Sequence, residues 1–295
     1  LTFLSEIVCV ISGVDSFQKS ININKLKDIL DIDINIISYE KIIMPGESRN
    51  IGIRKSKYEY ICFLDTYPLP DEDWIFNSIT ILEAKNLKGV LGQVEYKPTN
   101  EFEDCFISST YGYRPIYCVP GTLIKKNLLN EIGYFVPNRR SGEDVEWINR
   151  SKLIYPNLFQ DGVLPCKYSG LKGKNFIDLC KKWYSYKVSE TINPIFYSQR
   201  ILYYSFLIIC TLLLALSWND KIANWDQNSF FYVPHISKFM VSFFALIYFI
   251  YRMIILPIKK KVKIFDFNLI KFIKFVYISI ILDLIKLIAF INHKK

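Results

Sequence analysis

The chain has 295 residues, 51% of them hydrophobic and 16% aromatic, with 37 Lys+Arg against 28 Asp+Glu for a formal net charge of +9. That apolar fraction excludes intrinsic disorder, and no fixed-period repeat is present. Twelve of the basic and four of the acidic residues follow residue 200, so +8 of the +9 lies in the last 95 residues. The nearly neutral first 200 residues offer no basic face to nucleic acid, and charge flanking membrane segments accounts for the excess.

In chain order, Ile7 to Ile11 (IVCVI) reads as a buried strand, Asn24 to Ile32 as a helix and Ile34 to Tyr39 as a second strand. Glu47 to Ser56 follows as a helix and Tyr60 to Leu64 (YICFL) as a buried strand. This alternation predicts an α/β fold, a mostly parallel sheet flanked by helices. Ligands of such sheets collect at the carboxyl ends of strands, where Asp65 stands. Further on, Glu143 and Asp144 form an adjacent carboxylate pair ahead of a helical run. They suit either catalysis or the positive end of a helix dipole. Trp147, one turn later, fits a core position or an apolar platform for a sugar ring.

Seven cysteines (Cys9, Cys62, Cys105, Cys118, Cys166, Cys180, Cys210) show no metal-ligand spacing and read as free thiols in a reducing compartment. The two histidines, His235 and His293, lie in the C-terminal third and exclude a histidine-based site in the N-terminal part.

Asn175 to Thr191 interleaves Lys181, Lys182, Trp183, Tyr184 and Tyr186, as an amphipathic helix at a membrane interface does. Residues 175–200 are assigned to it. Ile201 to Ser217 is free of charge, and Phe239 to Ile258 is interrupted only by Arg252, which is expected to snorkel to the interface. Phe275 to Ile291 holds Asp283 and Lys286 three apart on one helix face; it either spans or lies along the interface. The expected division is a domain over 1–174, the interfacial helix, and a membrane region over 201–295. Its two or three spans lie near 201–218, 239–258 and 268–291. Six lysines between Lys259 and Lys274 mark the cytoplasmic side, which puts residues 1–200 in the cytoplasm of a bacterial-type inner membrane. No secretory signal opens the chain.

The run from Gly46 to Asp65 (GESRNIGIRKSKYEYICFLD) resembles the core of the family-2 glycosyltransferases. Three later runs extend the resemblance in order and spacing over roughly residues 5 to 200. They are Gly121 to Lys126 (GTLIKK), Ile132 to Phe135 (IGYF) and Ser141 to Arg150 (SGEDVEWINR). It implies a nucleotide-sugar-binding GT-A fold and transfer of a single sugar, with inversion, from a nucleotide-diphosphate sugar to an acceptor hydroxyl. A lipid-linked glycan of a surface polysaccharide is the expected acceptor. Asp144 is implied as the catalytic base with Glu143 beside it. Asp65, Arg49, Asn50 and Asp15 would contact the nucleotide sugar, Arg49 either through phosphate or by bracing the Asp65 strand. Gly121, Thr122 and Trp147 would lie on the acceptor side. A divalent metal, Mg2+ or Mn2+, is implied at Asp65. The family's second acidic position is Tyr67 here, which leaves Asp65 and substrate phosphates to hold the ion. The segment from Glu6 to Asp15 aligns with the family's second strand, so a truncated or diverged front end is expected. A truncated or catalytically inactive relative serving in binding or membrane assembly is the alternative. The sequence leaves the oligomeric state open.

Overall fold

The structure is a computed structural model that describes residues 4–13, 32–171, 175–191, 205, 208–209 and 218–292. The expected helix at Asn24 to Ile32, Asp15, and nearly all of the first apolar run lie outside the described residues. The chain divides into two compact units. One comprises Leu1–Thr99 and Pro115–Gly173; the other comprises Asn100–Arg114 and Lys174–Lys295. Residues 100–114, expected within the N-terminal domain, thus belong with the C-terminal region.

In the first unit, strand β1 (Glu6–Ser12) pairs in parallel with β2 (Asp33–Tyr39), and Ile7 stands opposite Ile34. Helix α1 (Pro45–Lys55) has Pro45 in its first turn, where a missing N–H costs nothing, Glu47 at its positive end, and Arg54 and Lys55 at its negative end. Strand β3 (Tyr60–Cys62), helix α2 (Trp74–Ala84) and the short strands β4 (Gly89–Val90) and β5 (Gln93–Lys97) follow. Helix α3 (Glu101–Ser109) belongs to the second unit. Back in the first come β6 (Ile116–Tyr117), β7 (Leu123–Lys125), α4 (Leu128–Ile132), α5 (Glu143–Ile154) and β8 (Cys166–Ser169).

The α/β class agrees with the sequence, whereas the pairing is mixed rather than mostly parallel. Strands β1–β2 and β5–β8 pair in parallel; β3 and β4 flank β7 antiparallel, and β6 is antiparallel to β5. Alternation along the chain reports that strands and helices take turns, but not the direction in which a short strand returns. The core gathers Ile53, Ile61, Phe63, Ile124, Phe135 and Trp147 between helices and strands. Phe135 stacks on Trp147 with centroids 5.1 Å apart.

The second unit is helical. After α3 come α6 (Phe176–Thr191), α7 (Trp218–Lys221), α8 (His235–Ile250), which continues through a π turn at Tyr251–Ile255 to Lys259, and α9 (Leu269–Asn292). Asn100 caps α3 by accepting from Glu103 N at 2.9 Å, and Glu101, Glu103 and Asp104 occupy its first turn. Helix α9 packs against α3 and α6. Lys271 meets Asp104 at 2.6 Å and Lys274 meets Glu101 at 2.7 Å.

Helices Phe239–Lys259 and Leu269–Asn292 are each long and apolar enough to cross a membrane. On α9 the exposed residues Ile270, Ile273, Tyr277, Ile280, Leu284, Ile288 and Ile291 recur at helical spacing, whereas Ser279 and Asp283 are buried. Phe275, Ile278, Leu282 and Ala289 are buried beside them, so the helix is apolar on both faces, and the exposed one suits a surface covered by lipid.

Arg252 does not snorkel. It is 4% exposed, within the π turn, and its Nε donates to Asp283 Oδ2 at 2.7 Å. Tyr248 Oη donates to the same oxygen at 2.8 Å, and Lys286 Nζ to Oδ1 at 2.7 Å. A charge buried beside a carboxylate is stabilised only while its partner stands, so Asp283→Leu should cost about 3–5 kcal/mol. The double variant Arg252→Met with Asp283→Leu should recover part of that loss. Thermal melts of the four proteins of this cycle in detergent measure the coupling directly.

Candidate functional site

The four charged groups of the site come from three places in the first unit. Arg49 projects from the middle of α1, Asp65 follows β3, and Glu143 and Asp144 open α5. Gly142, just before α5, has φ +82°, a left-handed conformation that glycine adopts without strain. The three acids of the first turn, Glu143, Asp144 and Glu146, face the positive end of the α5 dipole.

Arg49 joins these parts. Its Nη1 donates to Glu143 Oε1 at 2.7 Å, and its Nη2 donates to Asp65 Oδ1 and Oδ2 at 3.1 and 3.2 Å. The guanidinium also lies 5.4 Å from the centroid of the Phe135 ring. One planar fork therefore ties two carboxylates 78 positions apart in sequence, a geometry that a lysine point charge does not reproduce. Burial would lower the Arg49 pKa, but Asp65, Glu143 and Asp144 outweigh it and hold it above its ordinary value. Glu143 is buried, and its Oε2 has no hydrogen-bond partner among the described residues.

Glu143 and Asp144 are both pushed above the usual carboxylate range. For Glu143 burial is the main cause and Asp144 adds to it, while Arg49 opposes. For Asp144 burial again dominates. Arg49 and the Val145 N–H, which donates to Oδ1 at 2.8 Å, oppose it, and the Asp65 charge reinforces it. Asp144 nevertheless keeps part of its surface exposed. A partly exposed carboxylate with a raised pKa has the character of a general base.

The other residues expected at the site have different work. Asn50 is buried and clamps Phe135 from both sides: its Nδ2 donates to Phe135 O at 2.8 Å, and its Oδ1 accepts from Phe135 N at 3.0 Å. Trp147 has no exposed surface, and its Nε1 donates to Gly133 O at 3.0 Å, so it is a core residue and presents no face to a sugar. Thr122 is fully buried, donating to Cys118 O and accepting from Gly92 N. Gly121 has φ +84°, and its carbonyl accepts from Trp74 Nε1 at 2.9 Å. A Cβ at Gly121 would meet Cys166 Sγ at 3.1 Å. Gly121 and Thr122 are packing positions, where the sequence placed acceptor contacts. Asp15 lies outside the described residues.

Sequence reasoning missed Phe135, the ring beneath the Arg49 guanidinium, and Arg150. The Arg150 guanidinium donates to Ile132 O at 2.5 Å and Tyr134 O at 2.7 Å and pairs with Glu146 at 2.6 Å, fixing the turn that carries Phe135. The IGYF and SGEDVEWINR runs contained the signal for both residues, Arg150 as the closing position of the second run, without a role assigned to either.

Among the described residues no group of three or more His, Cys, Asp or Glu gathers to hold a metal ion. The Asp65 side chain is 43% exposed and, among the described residues, is held by Arg49, so it fits as a protein ligand of an ion otherwise bound by substrate phosphates.

No family model matches the chain, and no curated protein matches it. Among solved structures it is similar to S. aureus TarS 1–349 in complex with UDP-GlcNAc, at 16% identity and a TM-score of 0.41, over 63% of this chain and 57% of that one. It is also similar to S. aureus TarS 1–349, at 16% and 0.37 over 63% and 56%, and to S. aureus TarS, at 15% and 0.38 over 63% and 34%. The chain thus spans little more than half the length of the first two structures and a third of the last.

A carboxyl whose pKa rises on folding holds its proton more tightly in the folded state. Its contribution to stability is therefore fullest at low pH and is lost as pH rises from about 4 through the folded pKa. Asp144→Asn removes that loss. The variant should melt at least as high as the wild type at pH 7–8, by a few degrees, with the gap closing toward pH 4. Melting curves across this range check the sign.

Proposed function

We propose that this chain is a membrane-anchored, inverting glycosyltransferase of the family-2 type, with a GT-A-like sheet. It moves one sugar from a nucleotide-diphosphate sugar to an acceptor hydroxyl. The observation that carries this reading is the convergence on Arg49 of two motif blocks far apart in the chain, GESRNIG…FLD and SGEDVEW, through Asp65 and Glu143. Residues that merely satisfied local turns or helix ends would not have to meet.

The chemistry follows from the charges. The acceptor hydroxyl attacks the anomeric carbon from the face opposite the diphosphate. The bond from that carbon to the phosphate oxygen breaks, and the nucleoside diphosphate leaves with the electron pair. The hydroxyl proton passes to Asp144, whose raised pKa makes it a stronger base than a free aspartate. Glu143 holds Arg49, and Arg49 holds Asp65; on this reading Asp65 lies beside the donor phosphates. A bound Mg2+ or Mn2+ would offset the charge of the departing diphosphate, with Asp65 as its protein ligand.

Membrane anchoring rests on the two long apolar helices and the lipid-suited face of α9. The lysine-rich stretch between those helices supports a cytoplasmic site, and a site on the same chain as a membrane anchor favours a lipid-linked glycan as acceptor. A second reading, a nucleotide-sugar-binding relative without turnover that acts in membrane assembly, draws on Tyr67 standing at the family's second acidic position.

Purified full-length protein in membranes, presented with a panel of nucleotide-diphosphate sugars, separates the two readings. Turnover should fall about 10²–10⁴-fold in Asp144→Asn. Equal turnover by both proteins removes Asp144 from the role of base. Nucleotide binding without transfer or hydrolysis in any combination favours the second reading.

A further inference from the structure

Among the described residues, the charges gathered around Asp283 do not balance. Asp283 receives Arg252 at 2.7 Å and Lys286 at 2.7 Å, so two full positive charges meet one carboxylate. A third cation joins them at the end of α3. Arg252 Nη2 donates to Ser109 O at 3.1 Å, and Lys260 Nζ donates to the next carbonyl, Thr110 O. The helix end they cap carries only about half a negative charge. Burial, then Arg252, Lys286 and Arg114, pull the Lys260 pKa down to about 8, against the opposing charge of Asp283. Lys271, Lys274 and Lys187 do not add to the excess, because they pair with Asp104, Glu101 and Glu190.

A separate observation concerns the aromatic ring beside Lys286. Trp183 of α6 is 8% exposed, and its Nε1–H is buried without a hydrogen-bond partner among the described residues. Lys187 Nζ, paired with Glu190, lies 4.4 Å from the centroid of its ring, and Lys286 Nζ lies 5.9 Å from it. A buried donor left unpaired is costly, and so is surplus charge among apolar helices; one anion relieves both. The helices around it expose apolar side chains such as Ile280, Leu284 and Ile288, against which acyl chains can lie. Basic pockets among membrane helices have the chemistry to take lipid headgroups.

We propose that this cluster binds the phosphate of an anionic membrane phospholipid, with Lys286 as the cation at its rim and the Trp183 Nε1–H as a neutral donor. The zwitterionic headgroup of phosphatidylcholine would not balance the charge, whereas that of phosphatidylglycerol would. The proposal rests on the membrane reading of the long helices, and sedimentation with phosphatidylcholine vesicles tests that reading alone.

The test is native mass spectrometry of the full-length protein in detergent, titrated separately with phosphatidylglycerol, phosphatidylcholine and inorganic phosphate. Phosphatidylglycerol should be retained about tenfold more than phosphatidylcholine, and Lys286→Gln or Trp183→Phe should each lower its retention about tenfold. Phenylalanine keeps an aromatic ring against Phe106 and Tyr111 while removing the N–H. Equal retention of the two lipids, or wild-type retention by both variants, overturns the site. Inorganic phosphate bound as tightly as phosphatidylglycerol overturns the lipid assignment. Should either variant fail to fold, the wild type decides: its melting temperature should rise with phosphatidylglycerol and not with phosphatidylcholine, and an equal rise overturns the proposal.

Discussion

Two carboxylates, Asp65 and Glu143, stand close to a third, Asp144, and all three would repel one another in the absence of Arg49. The guanidinium is nearly buried, with 12% of its side chain exposed, and it bonds to both of the carboxylates it separates. The end of β3 and the start of α5 depend on this link for their relative position. The Asn50 clamp and the Phe135 ring hold the guanidinium in turn, since Asn50 follows Arg49 on α1 and fixes the backbone of the residue whose ring lies beneath it. A hydrophobic core that includes Phe135, Trp147 and Ile53 thereby aims a polar site.

The sequence was most legible where chemistry and local pattern coincide. Strands β1 and β2 and helix α1 lie within a residue or two of their expected bounds. Arg49, Asp65, Glu143 and Asp144 do assemble. Legibility failed where a residue type serves equally well inside and outside a site. Trp147, Gly121 and Thr122 sit in the matched motifs, yet burial makes them packing residues, and burial is a property of tertiary contacts that no local spacing encodes. Strand direction failed for the same reason: β3, β4 and β7 are two or three residues long, too short to carry a periodic signal.

In the helical unit the i,i+3 pairing of Asp283 with Lys286 was readable from spacing, and it stands at 2.7 Å. The partner 31 positions away, Arg252, was not, because a lone arginine near the end of an apolar run suits snorkelling and burial alike. The π turn decides between them. A local gain of one residue per turn shifts the side chains that follow relative to a regular helix, and Arg252 is turned inward there rather than toward solvent.

The allegiance of α3 has a practical side. Its buried face, with Cys105, Phe106, Ile107 and Ser109, and its acids Asp104 and Glu101 find their partners on helices that follow residue 174. Cutting the chain after Gly173 to obtain a water-soluble protein would strip this helix of its cover and leave a greasy, unpaired excursion between Thr99 and Pro115. The C-terminal helices are therefore not a detachable tail. A soluble form has to lose residues 100–114 together with the C-terminal helices, and a short polar bridge has to take their place.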